Sequence, residues 1–96
     1  DHLSFAIPIL DPFIQLAQAA TYSDRLALGV GVYLLPLRHP GPVAKQVATL
    51  DHLSNGRLIL GLGVGGEFKT DFQVAGVDRS ERRKEVITAR SRLFWV

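Results

Sequence analysis

The sequence contains no cysteine and no methionine, and it has neither a long apolar run nor a surplus of one charge. Without cysteine there is no disulfide framework and no thiolate metal site. The three histidines, His2, His39 and His52, stand at spacings that do not make a His-only metal site. The formal charge is +2, and the one basic concentration, from Arg79 to Arg92, is interrupted by Glu81 and Glu85, so no nucleic-acid stripe forms. The longest apolar stretch, Leu26 to Leu35, is about half of what a bilayer requires, and no basic segment leads into an apolar one at the start. These absences point to a cytoplasmic protein that binds no metal, no nucleic acid and no membrane. The lack of any methionine, together with an opening Asp1-His2 that reads as the middle of a motif, gives the expectation that sequence is missing upstream.

What is present is globular in character. A hydrophobic fraction of 47% against 21% charged residues argues against wholesale disorder. A chain of 96 residues is one small domain, and such a chain buries only about two-thirds of its unfolded surface, so its stability is marginal.

Asp11-Pro12 has the form of an N-cap followed by proline at the first helical position, and Phe13, Leu16, Ala17 and Ala20 recur at helical spacing. A helix is expected over 11–23. The run over 26–35, LALGVGVYLL between Leu26 and Leu35, reads as a strand buried on both faces, as in a parallel sheet covered by helices. Pro42 then opens a second helix over 42–54, with Val43, Val47, Leu50 and Leu53 as its apolar stripe and Asn55 or Gly56 as its left-handed cap. A second strand is expected over 57–64, then an irregular stretch from Glu67 to Arg79, then a helix over 80–95 with Ser80 as N-cap.

Leu28-Gly-Val-Gly-Val32 and Leu60-Gly-Leu-Gly-Val64 agree at four of five positions with an offset of 32 residues. One period holds one strand and one helix, the unit of a parallel α/β barrel or a doubly wound sheet. Glycines inside strands favour the barrel, because they relieve crowding where backbones or ligands approach closely.

In parallel α/β folds ligands sit at the carboxyl ends of strands, which brings Gly31 to Leu35 and Val64 to Glu67 to one mouth. Glu67 there is either an acid and hydrogen-bond acceptor or an ordinary loop carboxylate. Gly61-Leu-Gly-Val-Gly65-Gly66 formally satisfies the dinucleotide-binding pattern, but the stretch before Gly76 leaves little room for the helix that such a site needs. A nicotinamide-binding module is therefore the weaker alternative. Arg38-His39-Pro40 could hold an anion ahead of a helix, or cap a neighbouring loop. Asp51 and Arg57 are expected to form a structural ion pair, and His52 to lie at the surface or pack.

Taken in order, Asp1-His2, the stretch LGVGVYLLPLRHP from Leu28 to Pro40, and the block AKQVATLDHLSNGRLILGLGVGGE from Ala44 to Glu67 form a specific set. It resembles the luciferase-like monooxygenase family, including its deazaflavin-dependent dehydrogenases and reductases. The resemblance extends into the segment from Arg83 to Trp95 and so covers nearly the whole chain. It implies an internal piece of a (β/α)8 barrel, with two parallel strands and about three helices. Its open edges would be completed by self-association into a homo-oligomer. The cofactor implied is FMN or an 8-hydroxy-5-deazaflavin at the barrel mouth, acting on a small-molecule substrate. Asp1, Gly31, Val32, Val64, Gly65 and Gly66 match cofactor-contacting positions, with a non-proline cis peptide expected at Gly31-Val32. His2 and Glu67 match proton-transfer groups. The chain carries one residue more before Glu67 than the family pattern. The parent barrel would be an oxidoreductase, while the 96 residues alone are expected to be inactive.

Overall fold

Asp11 closes the open end of the first helix with its own side chain, whose Oδ2 accepts from the Ile14 amide at 3.0 Å. Pro12 follows at a position where a missing N–H costs nothing. The helix α1 runs Pro12–Tyr22 and buries Phe13. The computed structural model describes residues 1–84 and residue 86. After α1 come the strand β1 (Leu28–Leu34), a 3-10 turn (Leu35–Leu37), the helix α2 (Pro40–Leu53), the strand β2 (Leu58–Gly63) and the helix α3 (Lys69–Ala75). The helix expected over 80–95 lies largely outside the described residues. Within them Arg79–Glu81 form a 3-10 turn capped by Asp78 rather than Ser80, the Asp78 Oδ1 accepting from the Ser80 amide at 2.8 Å.

The two strands pair in parallel, Leu28 with Leu58, Gly29 with Ile59 and Val30 with Leu60. The pairing then slips, and Tyr33 stands beside Leu62 and Leu34 beside Gly63. Gly31 and Val32 therefore face the single residue Gly61, a bulge of two residues against one. Side chains alternate along a strand, so one extra residue reverses the faces of everything after it. Counted by twos from Val30, Val32 would face the helices; instead it is turned to the opposite face, 45% exposed, and Tyr33 enters the core. The Gly31–Val32 peptide at this point is cis.

Tyr33 joins Phe13, Leu35, Val43 and Leu50 in the main core, with Val30, Leu58, Leu60 and Leu62 packed against them. The rings of Phe13 and Tyr33 stack with centroids 4.4 Å apart. A second cluster, Leu34, Leu37 and Phe72, ties α3 to the end of β1.

The strands are not buried on both faces. The helices cover the side that carries Val30, Leu58, Leu60 and Leu62, while Gly29, Gly31 and Ile59 are exposed on the other. Val32 lies across the glycines of β2. A Cβ at Gly63 would stand 2.5 Å from Val32 Cγ2, and one at Gly61 would stand 2.8 Å from the Val30 carbonyl oxygen.

Other differences from expectation have local causes. His39 accepts from the Gly41 amide through Nδ1 at 3.3 Å and so starts α2 at Pro40 rather than Pro42. Leu53 faces outward, since α2 reaches its cap there and only Val43, Ala44 and Leu50 are buried. Ala17 of α1 is likewise exposed. Ser54, Asn55 and Gly56 end α2, the last two in the left-handed region. The stretch after Glu67 contains α3, a helix of seven residues stopped by left-handed Gly76. Arg57 does not pair with Asp51. It donates to the carbonyls of Ser54, Leu26 and Ala20, joining the ends of α2 and α1 to the entry of β1.

The glycines of β2 give a test of the bulge. Gly63→Ala should cost about 1–3 kcal/mol through overpacking against Val32. Adding Val32→Ala to the same chain should restore most of that loss in urea unfolding. Gly61→Ala meets backbone, and Val32→Ala should not rescue it.

Candidate functional site

Two buried carboxylates hold the first residues of the chain against the strand ends. The Asp1 side chain, 1% exposed, accepts from the Leu34 amide at 2.7 Å and from Arg38 at 2.6 and 2.7 Å, a two-pronged pair with the guanidinium. Arg38 also donates to the Leu34 carbonyl and lies 4.3 Å from the centroid of the Tyr33 ring. Arg38 is thus engaged by Asp1 and the Leu34 carbonyl within the chain, which favours the loop-capping reading over an anion site. His39 is exposed and serves as the α2 cap, and His52 is exposed on the same helix.

The second carboxylate is Asp71, in the first turn of α3 and 2% exposed. Its Oδ1 accepts from the amides of Leu3 and Ser4, both at 2.8 Å, and its Oδ2 lies 2.7 Å from His2 Nδ1. Burial pushes this carboxyl up, but the His2 ring and the Ser4 and Leu3 amides outweigh it and hold the group below its ordinary value of 3.8. The His2 ring stacks on Phe5 at 4.8 Å and meets Phe68 edge-on at 5.0 Å. The imidazole is therefore fixed in direction by a carboxylate and in plane by two aromatic rings. Among the described residues His2 makes no other hydrogen bond, so Nε2 is left for an outside partner.

The strand ends complete the surround. Gly65 and Gly66 have φ values of 61° and 116°, conformations that side chains rarely adopt, and the Gly66 carbonyl accepts from Arg79. A Cβ at Gly66 would run into Arg82, whereas one at Gly31 would meet nothing within 4 Å. A pocket of about 360 Å³ opens between these parts. Asp1, His2, Gly31, Val32, Val64, Gly65, Gly66 and Glu67 all line it, joined by Leu34, Gly63, Phe68 and Asp71. The site residues implied by the family resemblance are thus brought to one mouth, while Arg38, His39, Asp51, His52 and Arg57 lie outside it. Glu67 is exposed there, with no hydrogen bond among the described residues. Asp71 had no sequence signal, because its link to His2 spans 69 positions and it lies in a stretch expected to be irregular.

The helix that follows Gly66 bears on the dinucleotide alternative. It is short, and its first turn carries the Asp71 carboxylate, where a pyrophosphate would meet negative charge instead of free amides. Among the described residues no strand follows it. No group of three or more His, Asp or Glu residues among them is placed to hold a metal ion, and no helix is long and apolar enough to cross a membrane.

Two parallel strands linked through a helix, with the pocket at their carboxyl ends, are part of a (β/α)8 barrel. A solved structure of the monooxygenase RslO1 from Streptomyces bottropensis superposes with a TM-score of 0.80 at 30% identity, over 86% of this chain and 25% of that one. The model of the luciferase-like monooxygenase family matches residues 1–87, and the chain belongs to that family. It is 38% identical over 87 residues to limonene 1,2-monooxygenase of Rhodococcus erythropolis, covering 90% of this chain and 22% of that protein. It is 33% identical over 88 residues to the oxygenase component of a flavin-dependent trigonelline monooxygenase of Acinetobacter baylyi, covering 88% and 24%. Over 56 residues it is 46% identical to a putative coenzyme F420-dependent oxidoreductase of Mycobacterium tuberculosis, covering 58% and 16%. The chain spans a quarter or less of each of these proteins.

Acid should loosen the site before the core. A carboxyl held below 3.8 in the fold adds stability above that pH and loses it as pH falls through the lowered value. The Leu3 and Ser4 amide resonances should therefore shift on acidification below about 4 while those of β1 and β2 hold their positions. Amide shifts at Leu3 and Ser4 that stay constant down to pH 2 would contradict the contact.

Proposed function

We propose that this chain forms part of the mouth of a flavin- or deazaflavin-dependent oxidoreductase barrel, with His2 and Glu67 as its proton-transfer groups. The observation that carries the reading is the convergence of His2, Glu67, the Gly31–Val32 bulge and the Val64–Gly66 turn on one pocket. The residues present suit a large flat ring system. Gly31 leaves the space of its side chain empty, and a methyl group there would fill the floor of the pocket. Gly31, Val32, Val64, Gly65 and Gly66 would hold the ring against backbone, and Asp1 takes part by fixing the position of Leu34 beside them. The flavin-dependent and F420-dependent relatives support this class of cofactor.

When bound, a flavin or deazaflavin supplies hydride transfer, and a reduced flavin also oxygen activation. The chain's own residues do the rest. His2, oriented by Asp71 and its aromatic neighbours, holds or moves a proton at Nε2. Glu67 is a second proton-transfer carboxylate, and Phe68 and Val64 supply apolar wall beside a small-molecule substrate. Reduced FMN and deazaflavin should be titrated into a barrel-length protein that contains residues 1–96. Binding of one of them is expected, and binding of neither defeats the proposal. His2→Gln and Glu67→Gln should each lower turnover by about 10²–10⁴-fold with little change in cofactor affinity.

A second reading concerns the 96 residues by themselves. Ile14, Tyr22, Leu53 and Ile59 are 63–81% exposed, on α1, on α2 and on the uncovered face of the sheet. Alone, the chain would cover such surface with further copies of itself. Light scattering should show an oligomer without turnover; a folded monomer, or an active one, would refute this.

A further inference from the structure

We infer that Asp71 is the positioning residue of the site: it sets the tautomer of His2 so that Nε2 presents a lone pair to the pocket. The inference rests on the reading of His2 as a proton-transfer group and adds the group that makes it one. An ionised carboxylate only accepts hydrogen bonds. All the neighbours of Asp71 described above are donors or must act as donors: the amides of Leu3 and Ser4 at Oδ1, and His2 Nδ1 at Oδ2. With Asp71 ionised, Nδ1 carries the proton, and in the neutral ring Nε2 is then the base. The carboxylate is itself immobilised by two backbone amides and by burial, so it cannot turn away from the ring. The stack on Phe5 and the edge contact with Phe68 stop the ring from rotating out of line. The same carboxylate would stabilise an imidazolium once His2 has taken up a proton.

Asp71→Asn separates this role from a structural one. The asparagine oxygen can still accept from Leu3 and Ser4, while its NH2 group faces Nδ1 as a donor and drives the proton to Nε2. Long-range ¹H–¹⁵N correlation spectra of the chain report the tautomer directly. Expected is Nδ1–H for His2 in the natural sequence and Nε2–H in the variant, with His39 and His52 unchanged. An Nε2–H ring or the mixture of a free imidazole in the natural sequence overturns the proposal, as does an unchanged ring in Asp71→Asn.

The second arm uses the barrel-length protein. There Asp71→Asn should lower kcat by about 10²–10⁴-fold while KM and cofactor affinity stay within a few-fold. Retained kcat in a variant that binds cofactor overturns the positioning role but leaves the oxidoreductase reading standing. Failure of the natural protein to bind any flavin or deazaflavin sinks that reading, while the tautomer measurement still decides the inference about Asp71. Asp71→Glu, which keeps the charge, should recover part of the lost turnover, and no recovery beyond Asp71→Asn counts against the inference.

Discussion

One extra residue in β1 governs how the rest of the molecule is joined. Because Gly31 and Val32 stand against Gly61 alone, the alternation of the strand reverses, and Tyr33 goes to the core while Val32 crosses to the open face. Tyr33 then stacks on Phe13 of α1 and supports Arg38 just beyond the carboxyl end of the strand. Arg38 in turn grips Asp1, and Asp1 holds the Leu34 amide. A shift in strand parity is thereby converted, through one aromatic ring and one ion pair, into the placement of the first two residues. Without the bulge Tyr33 would face the open side, and Arg38 would lose the ring it packs on.

The pocket follows from this chain of supports. Four of its twelve lining residues, Gly31, Gly63, Gly65 and Gly66, offer only backbone. Its polar groups are Glu67 in the turn after β2, Asp71 at the start of α3, and Asp1 and His2 in the first residues, which have no regular structure of their own. The first residues are placed by buried carboxylates, whose hydrogen bonds to amides and cations offset the cost of burial. Membership in the luciferase-like monooxygenase family fits this division, with a packed outer layer of helices and a glycine-lined face turned to the other side.

Much of the architecture is legible in the sequence, because it is written in local patterns. The Asp11-Pro12 start, the Ser54-Asn55-Gly56 stop and the two Gly-rich apolar runs are short-range signals for helix ends and parallel strands. The block from Ala44 to Glu67 carries the family, and the strand-end rule gathers the site residues at one mouth. What stays hidden depends on partners distant in the chain. Nothing near Arg57 says that its guanidinium serves three carbonyls rather than Asp51. α3 escapes notice because a helix of seven residues shows barely one apolar repeat, Phe72 and Ala75. Asp71 escapes with it, and the bulge has no local mark, since LGVGVYLL reads as one continuous apolar strand. The exposure of Gly29 and Ile59 is hidden for a different reason: an apolar run looks the same whether one face or both are covered.

The contacts of Asp71 with His2, Leu3 and Ser4 span 67 to 69 positions, whereas β1 and β2 pair across about 30. Contacts across long loops carry the greater closure entropy and so belong late in folding. The β1–α2–β2 unit can therefore stand before the first five residues dock, and it can persist while they are released. On this reasoning the docking of the first residues is a less stable unit laid over a firmer one, which would give His2 an opening equilibrium of its own.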